Sequence, residues 1–360
     1  MKRLISSLAV IAVMVLATNG WATDAGGQPA DMSKSVKVFI LLGQSNMVGG
    51  GRVGPETKDG TLEHAVKVEK KYPYLVDKLG NWVTWKDVRY VQFIPSGTRL
   101  VSAPHNEWMT AARCSTIGPE FGIAECLRQA TDAPIMVLKS CCGNRGLNWD
   151  LLPPGSKRYL VGDQVYAGYK DRPPHWTVDP AKGVATDPPP WLGKNGKPIG
   201  WYAGIQYEGD LHFAKQALAD LNKYYPGAKG YTIAGFFFWQ GDRDRYDAVS
   251  ASHYEKNLVD YIKSVRKDFN APKAPFVLAT LGQTVKGETK NANEAKILAA
   301  QLAVSDPAKY PEFKGNVATV YTHPLSLGGG SNSHYNGNAE TYMNVGEAMG
   351  KAMVKLLKNK

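Results

Sequence analysis

The chain has 360 residues, 43% hydrophobic and 10% aromatic, with a formal charge of +11. That is enough apolar sequence for a sizeable core, which excludes a disordered polar chain. Lys and Arg are dispersed without a concentrated run, so nucleic acid is not the expected partner. The positive surplus suits solvated surface or an acidic polysaccharide or envelope.

The first residues read as an export signal. Lys2 and Arg3 precede an apolar stretch from Leu4 to Ala17, and Gly20-Trp21-Ala22 offers small residues where a signal peptidase reads. The stretch is shorter than the roughly 20 residues of a membrane span. Cleavage is expected after Ala22, leaving no membrane span and placing the protein in a periplasm or outside the cell. Residues 23–35 read as a flexible N-terminal segment and 36–360 as the folded domain.

Val36–Leu42 reads as the first strand and stops abruptly at Gly43. Gly43-Gln44-Ser45-Asn46-Met47 follows, then Gly49, Gly50 and Gly51, so the chain turns sharply where Ser45 stands. Ser45 there is either a helix cap or a nucleophile presented at the carboxyl edge of a sheet. Trp82–Ile94 holds two short alternating stretches, read as a hairpin or edge strands. Cys114, Cys126, Cys141 and Cys142 form an even set, which in an oxidising compartment suggests disulfides. All pairings stay open, and Cys141 and Cys142 could instead pair together or stay buried. No CxxC or His-rich spacing appears, so no metal site is expected.

Ala133–Ser140, Tyr231–Trp239, Pro275–Gly282 and Asn316–Thr322 read as buried strands. Gly118–Ala130, Glu208–Tyr225, Ser252–Phe269, Asn291–Ser305 and Ala339–Leu357 show helical periodicity. This alternation predicts a three-layer α/β/α sandwich with a mainly parallel central sheet. Residues 155–200 break the rhythm with Pro173-Pro174, Pro188-Pro189-Pro190 and the aromatics Tyr159, Tyr166, Tyr169, Trp176 and Trp191. They read as an ordered insertion near the site, either a surface lobe or a wall on which sugar rings stack.

Four segments fall at or near strand ends: residues 43–47, Lys139-Ser140-Cys141-Cys142-Gly143-Asn144, Trp239-Gln240-Gly241-Asp242, and His334 near the carboxyl terminus. On these motifs, and on Ile117-Gly118-Pro119-Glu120-Phe121, the chain resembles the SGNH-hydrolase superfamily, which has a flavodoxin-like fold. More narrowly it is similar to the sialate O-acetylesterase-like carbohydrate esterases, from about Val36 to Met353. The resemblance implies a carboxylic ester hydrolase with Ser45 as nucleophile and His334 as base. It implies oxyanion donors from the Ser45 and Gly143 N–H groups and the Gln240 amide. Gln44, Asn46, Asn144 and Arg145 are expected to contact substrate, an acetylated oligo- or polysaccharide, with no cofactor. His323 is the other candidate base.

One departure stands out. The family carries Asp three residues before the histidine, and this chain has Ser331 there. Asp242 or Asp244 could supply the missing carboxylate, or Ser331 could orient His334 in a dyad. A carbohydrate-binding protein descended from an esterase is the third reading, and an esterase of lipid or aryl esters a further alternative.

Overall fold

The computed structural model describes residues 29–288 and 290–359. The expected export signal at 1–22 lies outside them, as do residues 23–28. Within the segment expected to be flexible, residues 31–34 form a turn tied to the body of the chain. Asp31 N–H donates to the Asp132 carbonyl, and Lys34 pairs with the Asp132 carboxylate at 2.5 Å.

Strand β1 (Val36–Gly43) runs into the one-turn helix α1 (Ser45–Val48) and the two-residue strand β2 (Gly51–Arg52). A long hairpin of β3 (Trp85–Ser96) and β4 (Arg99–Met109) comes next. Then follow β5 (Thr116–Ile117), α2 (Glu120–Arg128) and β6 (Ile135–Ser140). Strands β7 (Tyr159–Val161), β8 (Gln164–Tyr166) and β9 (His175–Thr177) lie in the insertion. The remainder runs α3 (Ile205–Ala219), α4 (Leu221–Tyr224), β10 (Tyr231–Trp239) and α5 (Ala248–Asp268). It closes with β11 (Phe276–Ala279), α6 (Ala292–Ala303), β12 (Val317–Val320) and α7 (Ala339–Lys358).

Seven strands form the central sheet in the order β12-β11-β10-β1-β6-β3-β4. Every pairing is parallel except β3 with β4. The period of two along β1 sends Val36, Val38, Ile40 and Leu42 into one buried cluster with α3, α5 and α6. Phe39 and Leu41 enter the other with α2 and α7. A strand buried on both faces reads as a continuous apolar run, as VKVFILL does. The expected three-layer α/β/α architecture is the one found.

Three expectations need correction. Trp82–Ile94 is not two stretches; most of it belongs to the single strand β3, and its partner β4 went unread. β4 is an edge strand whose residues are mostly exposed, so it lacks the alternating apolar signal. The helix expected over Glu208–Tyr225 begins earlier, at Ile205, and breaks at Asp220. The four cysteines form no disulfide. Burial pushes each thiol upward, Cys126 to about 11 and Cys114 to about 12, so these thiols are poor nucleophiles.

The insertion is ordered. β7, β8 and β9 form an antiparallel sheet of their own, and Val165, Ala167 and Trp176 pack with Leu152 and Ala203 in a small separate core. Among the described residues, no helix is long and apolar enough to cross a membrane.

Candidate active site at the carboxyl edge of the sheet

In register, Gly43 of β1 pairs with Trp239 of β10, and Leu41 with Lys139 of β6. The loops that follow these strands therefore leave the sheet side by side, at the edge where open α/β sheets bind ligands. Gly43 has φ +142, and a side chain there would run into the Trp239 carbonyl oxygen. The turn before Ser45 demands glycine.

Ser45 begins α1 and is half-buried. Its N–H lies in the first turn, where such groups lack a partner inside the helix. Gly143 lies directly against it: a methyl group on Gly143 would stand 3.3 Å from Ser45 Cβ. Among the described residues, no main-chain acceptor takes the Gly143 N–H. The Ser45 and Gly143 amides are the pair a developing oxyanion could meet.

His334 sits on the turn 331–337 ahead of α7. His334, Tyr335 and Asn336 have φ of 50, 53 and 52, a left-handed run that non-glycine residues adopt only when packing enforces it. The enforcing residue is Tyr335. It is fully buried and stacks on Trp239 with centroids 5.8 Å apart, and its hydroxyl accepts the Gly282 N–H at 3.2 Å. The His334 side chain is exposed and packs on Gly50, where a methyl would come 2.8 Å from His334 Cβ. Tyr342 of α7 joins the two loops, its hydroxyl 3.5 Å from both Asn46 Oδ1 and the His334 carbonyl oxygen. Ser45 and His334 thus stand on adjoining loops. The His334 ring makes no hydrogen bond among the described residues, and catalytic contacts often tighten only with substrate. His323 instead shares a hydrogen bond between Nδ1 and the Gly282 carbonyl, at 2.8 Å.

Ser331 Oγ donates to Asp242 Oδ1 at 2.6 Å, and its N–H donates to Gln283 Oε1. Asp242 Oδ1 also accepts Arg245 Nε at 2.8 Å, while Arg245 Nη1 binds Glu294 at 2.7 Å. Asp242 is therefore tied to the histidine turn through Ser331. Asp244 points the other way. It is buried, and its carboxylate accepts the Leu147 and Asn148 N–H groups and the Gln240 amide. Burial outweighs those three donors and pushes the Asp244 carboxyl up to about 6.

Gln240 differs from its expected role as an oxyanion donor. Its Nε2 has Asp244, the Arg145 carbonyl and Gln44 Oε1 within 2.6, 2.9 and 3.2 Å, and its Oε1 accepts the Tyr254 hydroxyl. Both amide protons are taken, so Gln240 braces the loops. Gln44 and Asn46, expected at the substrate, are buried, and Gln44 accepts from Gln240 and the Arg243 N–H. Arg145 is held by Gln206, Ser96 and the Asn144 carbonyl, with its guanidinium 4.8 Å from the Trp201 ring centre. Asn144 is exposed beside it.

Lys139 and Glu120 belong to two of the sequence motifs, where sequence alone assigns them no role. They form an ion pair at 2.6 Å that is almost entirely buried. Lys139 Nζ also donates to the Val48 carbonyl at 3.0 Å, and Glu120 accepts the Gly118 N–H at 2.9 Å. The pair fixes the end of α1 to β6 and α2. Tyr342 was missed as well, since within a helical pattern it reads only as core. Among the described residues, no group of three His, Cys, Asp or Glu is placed to hold a metal ion.

Residues 194–355 match the family model described as carbohydrate esterase, sialic acid-specific acetylesterase. No curated protein sequence matches the chain. In fold, 90% of the chain overlays 57% of a carbohydrate acetylesterase from Xanthomonas citri, at 13% identity and a TM-score of 0.52. A protein of Arabidopsis thaliana is covered over 98% of its length by 89% of this chain, at 16% identity and TM-score 0.45. NanS is covered over 79% of its length by 82% of this chain, at 12% identity and TM-score 0.38. The Xanthomonas likeness carries the fold; this chain spans little more than half of that protein.

Proposed function

We propose that this chain, whose residues 194–355 match the family model described as carbohydrate esterase, sialic acid-specific acetylesterase, is an exported serine esterase that removes O-acetyl groups from carbohydrate. The match over residues 194–355 supports carbohydrate-esterase activity. The acetyl preference, the Ser–His mechanism, the export and the extent of the catalytic unit over residues 36–360 are our reading. The observation that carries it is Gly143 against the Ser45 corner, with the histidine turn packed on Gly50.

In this reading Ser45 Oγ attacks the ester carbonyl while His334 takes its proton. The oxyanion forms against the Ser45 and Gly143 N–H groups, which are in place before reaction. His334 then protonates the departing sugar alkoxide, leaving an acetyl ester on Ser45 Oγ. Water attacks that ester with His334 again as base, and the proton passes from His334 to Ser45 Oγ as acetate leaves. Asp242 acts through Ser331: by holding the turn, it presents the imidazole.

The test is acetate release from 4-nitrophenyl acetate and from O-acetylated sugars by the purified protein, Ser45→Ala and His334→Ala. Loss of turnover in both variants is expected. Equal release by wild type and Ser45→Ala removes Ser45 from the mechanism. The unpartnered His334 ring favours a second reading, a glycan-binding descendant. Saturable glycan binding with no ester turnover, unchanged in His334→Ala, would establish it.

A further inference from the structure

Between the insertion and the loop after β10 lies a cavity of about 410 Å³. Small-ligand sites span roughly 300–1,000 Å³, so it can take one sugar unit or two. It is lined by Trp149, Tyr166, Trp191 and Tyr246, and neither Ser45 nor His334 reaches it. It is joined to Ser45 by a short stretch of chain. The loop of residues 143–146 has Gly143 against Ser45 at one end, while a methyl on Gly146 would meet Arg243 Cγ at 3.3 Å at the other. The Arg243 N–H donates to Gln44, the neighbour of Ser45.

The aromatic walls are fixed in place. Tyr166 stacks on Tyr159 with centroids 5.2 Å apart, and Tyr159 stacks on His253 at 3.9 Å. Trp149 and Trp191 meet edge to face at 5.9 Å. Tyr246 has the Arg245 guanidinium 4.2 Å from its ring centre, and the same Arg245 binds Asp242. Flat rings on several sides suit the C–H faces of a pyranose, whose hydrogens are drawn to the negative face of an aromatic ring.

The polar lining favours an uncharged occupant. Arg243 is exposed and makes no ion pair among the described residues, leaving its donors for hydroxyl groups. Asp150, Asp244 and Asp247 line the same space, so its carboxylates outnumber its single arginine. A sugar carboxylate would meet like charge there, whereas neutral hydroxyls can pair with Arg243 and with carboxylate oxygens.

We propose that this cavity is a glycosyl subsite: it takes an uncharged pyranose adjoining the O-acetylated sugar at Ser45, so the substrate is an oligo- or polysaccharide. The proposal rests on the esterase reading for what happens at Ser45, but binding in the cavity can be read without turnover.

The experiment compares O-acetylated xylose, mannose and galactose with the matching β-linked tetrasaccharides, and an acetylated hexuronan tetramer beside them. The expected result is kcat/KM per acetyl group at least tenfold higher on a tetrasaccharide than on its monosaccharide in one neutral series. That ratio is expected to collapse toward unity in Trp191→Ala and in Tyr246→Ala, whose side chains lie outside the main core. A ratio near one in every neutral series overturns the proposal, as does a ratio untouched by both substitutions or a preference confined to the hexuronan. Calorimetry of the deacetylated tetrasaccharides with Ser45→Ala separates the two readings. Binding that is lost with Trp191→Ala sustains the subsite even if no acetyl ester is turned over; no binding and no chain-length preference overturn it while esterase activity stands.

Discussion

The Ser331 hydroxyl donates to Asp242 Oδ1 at 2.6 Å, across a sequence separation of 89 residues. Ser331 occupies the position where the resemblance leads one to expect an acid, and here it is a serine that holds the Asp242 carboxylate. Asp242 is held in turn by Arg245 and, through it, by Glu294. The Asp242 carboxylate, on the loop after β10, thus reaches the histidine turn through the Ser331 hydroxyl.

Neutralising the acid of a trypsin-type triad lowers turnover about ten-thousand-fold. An indirect acid carries less of the barrier, so Asp242→Asn is expected to lower kcat by roughly 10- to 100-fold with KM little changed. Ser331→Ala is expected to do the same. Ser331→Asp in the Asp242→Asn background restores a carboxylate nearer the ring and is expected to recover most of the loss. Steady-state kinetics on 4-nitrophenyl acetate decide it: full activity in Asp242→Asn would show that His334 needs no acid from that loop.

The Lys139–Glu120 pair concerns stability first. Removing one partner of a buried ion pair leaves the other charged without compensation, at a cost of about 3–5 kcal/mol. Glu120→Gln is expected to lose that much in urea unfolding. Replacing both residues, as in Lys139→Met with Glu120→Leu, is expected to lose less. The double variant also frees the Val48 carbonyl, so its activity is expected to fall even where its stability recovers. A fully active double variant would show that the Ser45 turn stands without this anchor.

Asp244 gives a pH signature. Its folded-state carboxyl is pushed by burial to about 6, above its ordinary 3.8, so folding favours the protonated form. That contribution is fully present below about pH 4 and is lost as pH rises through about 6. Relative to Asp244→Asn, the wild type is expected to lose about 2 kcal/mol of stability between pH 4 and pH 7. Unfolding at several pH values reads the difference. A difference that grew with pH would mean that the Leu147, Asn148 and Gln240 donors hold the group ionised.

What the sequence revealed of this site follows from what chemistry requires to be contiguous. Gly43 to Met47 must be adjacent because the corner needs a glycine, a strand before it and a helix start after it. Gln240 and Asp242 stand out because they follow an aromatic strand. Side-chain direction was not legible: Gln44, Asn46 and Gln240 share motifs with exposed groups yet turn inward, and only the packed loops decide that. Nor were pairings between distant segments, such as Asp242 with Ser331 or Tyr342 with the loops of Ser45 and His334. β4 escaped for the opposite reason, since an exposed edge strand needs no apolar alternation.

Gly143 and Gln240 were expected to share one task, and the structure separates them in a way kinetics and unfolding can read together. Gly143 touches Ser45 through the space its missing side chain leaves. Gly143→Ala puts a methyl 3.3 Å from Ser45 Cβ, beside the place an oxyanion would occupy, while disturbing no hydrogen bond of the scaffold. It is expected to lower kcat by about tenfold or more by crowding that place, although the N–H remains, with unfolding almost unchanged. Gln240→Ala deletes hydrogen bonds to Asp244, the Arg145 carbonyl, Gln44 and Tyr254, leaving buried groups without partners. Each such group costs about 1–3 kcal/mol, so this variant is expected to unfold several kcal/mol more easily and to lose activity through loosened loops. A Gln240→Ala protein as stable as wild type but slow in turnover would return Gln240 to the oxyanion, and the hydrogen bonds that now occupy its amide would have to open during the reaction.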